Sequence, residues 1–206
     1  MKVHIVDYGM GNIFSVQKKL LQEHAIVSIS SKPEDILDAD KVILLGVGHF
    51  EKAMNNLTEL DLLDSLNNFA LIEKKPILGI CLGMQLMAET SDEGNGKIRG
   101  LGWINASVKK FYTQESQKFK IPHIGWNNVH TLKNSKLMKD ITSKDEFYFV
   151  HSYYMEPLDE DVILNETSYI EKFCSGVEKD NIFGVQYHPE KSHDSGRTVL
   201  RNFINL

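Results

Sequence analysis

The amino-acid sequence predicts a single α/β domain, residues 1–206, with an open, mostly parallel sheet, helices on both faces and antiparallel β-ribbons added in the second half. Two observations carry this prediction. In the first half, short apolar runs alternate with segments whose apolar residues recur at helical spacing, a pattern typical of parallel strands joined by right-handed crossovers. In the second half, strand patterns follow one another with few helix signals between them, which favours ribbons at the edge of the sheet.

The first half contains four predicted strands separated by predicted helices. The apolar spacing that begins after the first strand predicts an amphipathic helix over about 12–24. A capping-box pattern, Ser31-Lys32-Pro33-Glu34, has proline in the first turn and predicts that a short helix begins there. The strands are predicted at 2–6, 25–30, 42–45 and 77–80, and further helical stretches at about 50–72 and 82–89.

The second half opens with a polar turn at 91–96 and ends with an amphipathic stretch that predicts a closing helix over about 195–206. The predicted strands lie near 102–111, 120–130, 146–154, 161–166 and 181–186. In a parallel sheet, ligands collect at the carboxyl ends of the strands. The loop 7–12, the glycine loop 46–48 and Cys81 each follow a predicted strand, so we expect them on one rim of the sheet.

Cys81 is the strongest candidate for a catalytic residue. An apolar run over 76–80 reaches this cysteine, and Gly83 then allows the chain to turn into a predicted helix. That pattern is the sequence form of a nucleophile elbow, with sulfur in place of a hydrolase serine, and a helix N-terminus favours the thiolate. The alternative for a free cysteine is a buried structural role, which we assign to Cys174 because it lacks this frame.

His188 and Glu190 are the candidate base and the group that orients it. His188 follows a predicted strand and precedes Pro189, which removes a backbone donor and stiffens the turn. The carboxylate of Glu190, two residues further on, can fix the imidazole tautomer. An isolated histidine is more often structural, and the sequence contains eight. The His-Pro-Glu motif indicates a catalytic role only in combination with Cys81. Together these residues predict a Cys-His-Glu hydrolytic site.

The loop Gly46-Val47-Gly48 is the candidate oxyanion hole. Attack on a carbonyl creates an oxyanion that needs preorganised N–H donors. The amide of Leu82 is one candidate donor, and an amide near Val47 is the other, since the flanking glycines would let that peptide rotate. The alternative is an ordinary strand-to-helix turn. A phosphate-binding P-loop is excluded because no Gly-Lys-Ser/Thr follows.

The composition narrows the class of protein. A net charge of −5 gives no reason to expect nucleic acid or an anionic membrane as a partner. No apolar stretch is long enough to span a bilayer, and the N-terminus resembles a strand rather than a signal peptide. Two cysteines form no disulfide framework, and the cysteine and histidine spacings match no metal-ligand pattern. We therefore expect a cytoplasmic protein with no metal or other cofactor.

The motifs resemble those of class I (triad-type) glutamine amidotransferases, and most closely those of the glutaminase subunits of imidazole glycerol phosphate synthase, an enzyme of histidine biosynthesis. The elbow and the His-Pro-Glu motif mark the superfamily, and the resemblance runs nearly end to end. It rests on Asp7-Tyr8-Gly9-Met10-Gly11-Asn12, Gly46-Val47-Gly48-His49-Phe50, Gly79-Ile80-Cys81-Leu82-Gly83-Met84-Gln85, Lys120-Ile121-Pro122-His123-Ile124-Gly125-Trp126-Asn127, Phe149-Val150-His151-Ser152-Tyr153-Tyr154 and His188-Pro189-Glu190-Lys191-Ser192. The resemblance implies the class I glutamine amidotransferase-like (flavodoxin-like) fold.

The resemblance also implies a reaction. Cys81 would attack the side-chain carboxamide of L-glutamine, ammonia would leave, and water would release glutamate from the thioester, with His188 as acid and base and Glu190 orienting it. The residues that help hold glutamine would be Gly48, Gln85, Ser152 and Tyr153.

A partner is implied as well. The ammonia would pass to a (β/α)8-barrel cyclase (HisF-like) in a heterodimer, which uses it to make imidazole glycerol phosphate and an aminoimidazole carboxamide ribotide (AICAR). The face for this partner would include Tyr8, Asn12, Ile124 and Trp126. Core packing is the alternative for Trp126.

Leu45 departs from the family pattern, which usually has proline before the Gly-Val-Gly. Proline would restrict the loop, and leucine loosens that restraint. The departure keeps open a related amidotransferase that supplies ammonia for amidination of a surface-polysaccharide sugar with a different partner. Two further hypotheses are a stand-alone cysteine hydrolase acting on γ-glutamyl bonds and a non-enzymatic scaffold. The intact Cys81, His188 and Glu190 argue against the scaffold.

Overall fold

A mixed sheet forms the centre of the protein. The computed structural model describes residues 1–94, 97–115 and 117–206. Five strands lie side by side and parallel: β1 (Lys2–Val6), β2 (Ile26–Ser30), β3 (Lys41–Gly46), β4 (Ile77–Cys81) and β14 (Ile182–Val185). Their spatial order is β2-β1-β3-β4-β14, the arrangement of flavodoxin-like doubly wound folds. Strands β3, β4 and β14 are buried along their whole length, which explains their continuous apolar runs.

Helices cover both faces of this sheet, as the sequence predicts. They are α1 (Ile13–Gln22), α2 (Pro33–Leu37), α3 (Phe50–Glu59), α4 (Leu63–Asn67), α5 (Leu82–Gln85) and α6 (His193–Ile204), and a π-helical turn, Asn68–Ile72, extends α4. One face buries Leu20 of α1 and Phe203 of α6, whereas the other buries Phe50 of α3 and Phe69 of the π-helical turn. Within the described residues, no helix is long and apolar enough to cross a membrane.

The second half of the chain widens the sheet. The added strands are β5 (Ala88–Ser91), β6 (Ile98–Arg99), β7 (Ile104–Lys110), β9 (His130–Thr131), β11 (Tyr153–Pro157), β12 (Ile163–Ser168) and β13 (Lys172–Lys179). Beyond β14 the order is β13-β11-β7-β5-β6, while β12 pairs with β13 and β9 with β12. A separate antiparallel ribbon joins β8 (His123–Asn128) to β10 (Glu146–His151). The added pairs are antiparallel, as predicted, except that β5 runs parallel to β7.

Two element predictions in this region are wrong in detail. The helix after Cys81 ends at Gln85 instead of residue 89, because residues 88–91 form β5 and pair with β7. Strand β13 has no counterpart among the predicted strands, because Ser175 and Gly176 interrupt its apolar pattern. The predicted polar turn at 91–96 begins with the last residue of β5, and its final two residues lie outside the described part of the chain.

The capping box predicted at 31–34 is also wrong, although a helix does begin there. The N-cap of α2 is Lys32, which makes no side-chain cap hydrogen bond. The side-chain hydrogen bonds at the start of this helix are made by Ser30 and not by Ser31. The Ser30 hydroxyl accepts from the backbone N–H of Lys32 at 3.2 Å and donates to the carboxylate of Asp35 at 2.5 Å. Pro33 occupies the first turn, where a missing N–H is tolerated.

The carboxyl ends of β1, β3 and β4 meet at one edge of the sheet. Strand β3 lies between β1 and β4, with all three parallel, so the loops 7–12 and 46–48 and the Cys81 turn emerge together. This confirms the predicted rim. The switch in strand order occurs between β1 and β3, the place where doubly wound folds bind their ligands.

Candidate active site

Cys81 is the last residue of β4 and stands directly before α5, on a sharp turn. Its φ of 54° and ψ of −112° are unusual for a residue with a side chain. Two glycines allow this turn. A Cβ on Gly83 would lie 1.7 Å from the carbonyl oxygen of Leu44, and one on Gly79 would lie 2.7 Å from the backbone of Met84. Helix α5 therefore packs directly onto the sheet backbone, which fixes the direction of the cysteine.

His188 and Glu190 form a buried pair next to Cys81. His188 Nδ1 lies 2.8 Å from Glu190 Oε1. Burial alone would lower the pKa of His188, but hydrogen bonding to the Cys81 thiol and to Glu190 outweighs it and raises the pKa to about 10. His188 Nε2 is the nitrogen on the Cys81 side, and within the described residues its contact with the sulfur does not reach the geometry of a regular hydrogen bond. The imidazole thus has Nδ1 held by a carboxylate and Nε2 next to the Cys81 thiol.

The backbone around His188 is held by Tyr148 and Ser192. The N–H of His188 donates to the carbonyl of Tyr148 at 2.9 Å. The Ser192 hydroxyl donates to the carbonyl of His188 at 2.6 Å and accepts from the N–H of Tyr148 at 3.0 Å. Tyr148 lies in β10, so this strand fixes the backbone position of the histidine.

Gln186 is a further residue of the site, and it is not predicted from the sequence. Its side chain is fully buried between Cys81 and Gln85. Gln186 Nε2 donates to Cys81 Sγ at 3.6 Å, and Gln186 Oε1 accepts from Gln85 Nε2 at 2.8 Å. Gln85 Nε2 also donates to the carbonyl of Tyr153 at 2.8 Å. A polar side chain at the end of the apolar run 182–185, two residues before His188, is the signal that marks it.

A cavity of about 570 Å³ opens over the sulfur of Cys81. All six residues predicted to bind substrate or an oxyanion line it: Val47, Gly48, Leu82, Gln85, Ser152 and Tyr153. Three charged side chains with no predicted binding role line it as well, namely Glu93, Lys110 and Lys191. Glu93 is fixed there because its carboxylate accepts from the N–H of Phe50, at the start of α3, at 2.7 Å.

The loop 46–48 lies at the mouth of this cavity. Gly48 has a φ of +109°, a conformation that favours glycine, and Val47 is exposed. Leu45, the residue that departs from the family pattern, is buried in β3 opposite Ile80. A Cβ on Gly11 would lie 3.0 Å from Leu45 Cδ1, so the leucine side chain fills the space beneath the loop 7–12.

The residues predicted to face a partner divide into two groups. Asn12, Ile124 and Trp126 are exposed; 42% of Trp126 is accessible, and its ring stacks on His193 with centroids 4.8 Å apart. The core alternative for Trp126 is therefore wrong. Tyr8 is only 1% exposed, so its side chain is buried. The prediction that it lies on the surface facing a partner is therefore wrong. Its hydroxyl packs against Gly46, where a Cβ would lie 2.2 Å away.

Two neutral histidines connect the ribbon to the cavity. His123 Nδ1 lies 3.1 Å from His151 Nε2, and His151 Nδ1 lies 2.8 Å from the carbonyl of Tyr153, the same oxygen that accepts from Gln85. Burial lowers the pKa of His123 to about 4 and that of His151 to about 3. Across the described parts of the chain, no three His, Cys, Asp or Glu side chains are grouped to hold a metal ion.

Comparisons with known proteins agree with this geometry. A family model described as "Glutamine amidotransferase class-I" matches residues 4–206. Imidazole glycerol phosphate synthase subunit HisH 2 of Methanococcus maripaludis is 48% identical over 202 residues, 98% of each chain. Subunit HisH 1 of Campylobacter jejuni (strain RM1221) is 46% identical over 99% of this chain and 100% of its own. A crystal structure of a glutamine amidotransferase from Thermotoga maritima shares the fold, with a TM-score of 0.71, 15% identity and coverage of 100% of this chain and 96% of its own.

Proposed function

The chain belongs to the class I glutamine amidotransferase family, and we propose that it is the glutaminase subunit of an imidazole glycerol phosphate synthase. In this role it hydrolyses L-glutamine to glutamate and delivers the ammonia to a cyclase. The single observation that carries the chemistry is the position of Cys81: it lies at the floor of an open cavity, beside the buried His188–Glu190 pair.

The reaction begins with attack of Cys81 Sγ on the carboxamide carbon of glutamine, which forms the C–S bond. The raised pKa of His188 supports an imidazolium paired with the thiolate, so the proton needed by the leaving nitrogen is already in place. His188 gives this proton to the nitrogen, and the C–N bond breaks to release ammonia. Water then attacks the thioester, His188 takes its proton, and the C–S bond breaks to release glutamate.

The negative oxygen formed in both steps needs N–H donors close to Cys81. The N–H of Leu82, directly after Cys81, is one, and a peptide N–H near Val47 is the second. Gly48 supports this assignment because its φ of +109° is accessible at low strain only to glycine, so the peptide before it can rotate.

The charges on the cavity wall suit an amino acid zwitterion. Glu93 offers a carboxylate to the α-ammonium group, and Lys110 offers a cation to the α-carboxylate. Both N–H groups of the Gln85 side chain already donate hydrogen bonds within the protein. Its Oε1 is therefore the atom that would accept a hydrogen bond from a substrate N–H. Ser152 and Tyr153 complete the wall.

The proposed partner is a (β/α)8-barrel cyclase in a cytoplasmic heterodimer. The names of the relatives describe subunits of a synthase, which supports a complex. The exposed Ile124 and Trp126 on β8, together with Asn12, supply the apolar and polar surface on which it would dock. Large apolar side chains exposed on one strand are typical of such interfaces.

The test is ammonia transfer from glutamine to the product of the histidine-pathway cyclase. The chain and the cyclase are mixed with glutamine and the ribonucleotide substrate, and imidazole glycerol phosphate is followed by mass spectrometry with amide-¹⁵N glutamine. We expect ¹⁵N in the product, and a glutaminase rate that rises when the cyclase and its ligand are present.

Two results would contradict the proposal. High glutaminase activity alone, with no response to the cyclase, would favour a stand-alone hydrolase. Glutamine hydrolysis with no ¹⁵N transfer to this cyclase would instead favour a sugar-amidinating partner, the alternative raised by Leu45.

A further inference from the structure

We propose that Gln186 is a positioning residue: it donates a hydrogen bond that holds the Cys81 sulfur in its reactive anionic form, and it fixes the orientation of Gln85. The inference rests on the proposed role of Cys81 as nucleophile. It adds a residue outside the triad to the machinery that prepares the sulfur.

The position of Gln186 is rigid. The residue follows β14, its side chain is fully buried, and its backbone N–H donates to the carbonyl of Ser175 at 2.9 Å. From there Nε2 reaches to 3.6 Å from Cys81 Sγ, a normal length for an N–H···S contact, and Oε1 reaches to 2.8 Å from Gln85 Nε2. One buried amide therefore touches both the nucleophile and a wall of the cavity.

The orientation of this amide is dictated by its neighbours. The carbonyl of Tyr153 can only accept, so the Gln85 atom 2.8 Å from it must be the nitrogen. The second hydrogen of that nitrogen then needs an acceptor, and among the described residues this is the oxygen of Gln186. The –NH2 group of Gln186 is consequently directed at the sulfur of Cys81.

The donor matters because burial and one neighbouring carbonyl oppose a negative charge on the sulfur. Cys81 is buried, and the carbonyl of Val150, at 4.0 Å from Sγ, presents a partial negative charge. His188 is the cation beside the sulfur, and Glu93, Lys110 and Lys191 line the same cavity. A hydrogen bond donated to the charged form stabilises that form, so Gln186 supports the thiolate together with His188.

Two substitutions separate the parts of this role. Gln186→Leu removes the donor to sulfur and the acceptor for Gln85 with little change in volume. Gln186→Glu keeps an oxygen for Gln85 Nε2 but places a second oxygen, and no N–H, next to the sulfur. Both variants are compared with the wild type by the rate of Cys81 alkylation with iodoacetamide from pH 5 to pH 10, measured by mass spectrometry without glutamine or partner.

We expect the alkylation rate at pH 7 to fall about tenfold in Gln186→Leu and further in Gln186→Glu, with half-maximal rates reached at higher pH. Asn202→Leu is the matched control, because Asn202 is also a buried amide but donates to the carbonyls of Leu137 and Lys139 outside the cavity. It should lose stability without any change in the alkylation profile.

Wild-type alkylation profiles in both folded variants would overturn the inference. If Gln186→Leu does not fold, Gln186→Met, of similar length and also without a donor, carries the same expectation. Failure of the proposed function is recognised separately: glutamine hydrolysis that persists in Cys81→Ala would exclude Cys81 as nucleophile, whatever the alkylation result.

Discussion

His188 Nδ1 and Glu190 Oε1 lie 2.8 Å apart, and each of the two side chains is only 1% exposed. The carboxylate therefore faces the imidazole without competition from water. Such a pair fixes the imidazole tautomer and stabilises its charged form, which is the arrangement that general acid and base catalysis by a histidine requires.

Replacing Glu190 by glutamine should lower the pKa of His188 and reduce kcat for glutamine hydrolysis by about 100-fold or more. Because the pKa of His188 is raised in the folded protein, its contribution to stability is complete below about pH 6.5 and is lost as the pH rises towards about 10. In Glu190→Gln the pKa of His188 is lower, so the pH-dependent loss of stability should be complete at a lower pH than in the wild type. Urea unfolding across the pH range measures this difference.

The control is Glu156→Gln, since Glu156 forms an exposed ion pair with Lys109. That variant should keep wild-type activity and the same pH dependence. Equal behaviour of the two variants would mean that the Glu190 carboxylate has no special role.

The two cysteines should differ in reactivity. Burial raises the pKa of the Cys174 thiol to about 12, so this thiol stays protonated at neutral pH, whereas Cys81 lines an open cavity. In the native protein, a thiol reagent should modify Cys81 alone; after denaturation it should modify both. Peptide mass spectrometry distinguishes the sites, and Cys174→Ala should leave modification and hydrolysis unchanged. Labelling of Cys174 in the native protein would contradict this assignment.

Gly83→Ala should destabilise the protein by about 3 kcal/mol or more, because its Cβ would lie 1.7 Å from the Leu44 carbonyl oxygen. The control is Gly102→Ala, where nothing lies within 4 Å of the new Cβ and only the φ of +68° opposes it, at about 1 kcal/mol. Equilibrium unfolding in urea measures both. Similar losses would show that the elbow can relax away from the sheet.

Tyr8→Phe should leave the free energy of unfolding unchanged or raise it by up to about 1 kcal/mol, because the buried Tyr8 hydroxyl has no partner within the described residues. Tyr154→Phe is the matched comparison and should lose about 1 kcal/mol, since its hydroxyl donates to Glu171 at 3.1 Å. Thermal unfolding measures the difference. An equal loss in both variants would mean that the Tyr8 hydroxyl does make a hydrogen bond.

The sequence predicts β3, β4 and β14 well because strands buried on both faces have continuous apolar runs. It does not predict β13, whose Gly176 is explained only by tertiary structure: a Cβ there would lie 2.5 Å from Asn165 Oδ1 in the neighbouring strand. Tyr8 shows the same limit. The family resemblance implies a position facing the partner, but the Tyr8 hydroxyl packs against Gly46, which is distant along the chain.

The candidate site divides in the same way. Cys81, His188 and Glu190 are predicted because each has a local frame of glycine or proline. Gln186 is not predicted, because its meaning depends on Gln85 and Cys81, which are 101 and 105 residues away. A polar residue at the end of an apolar run shows that Gln186 is unusual, but its contacts with distant side chains leave no pattern in a single sequence.

Tyr148 contributes to the placement of the imidazole through main-chain atoms alone, so a side-chain substitution at this position would not reveal its contribution. Its carbonyl accepts from His188 and its N–H donates to Ser192, so both contacts use main-chain atoms. Alanine at 148 would keep this contribution, because any residue except proline supplies the same N–H and carbonyl. Ser192→Ala, in contrast, would remove the hydroxyl that bonds both Tyr148 and His188. The strand can therefore accumulate substitutions at position 148 over evolutionary time while its grip on His188 is preserved.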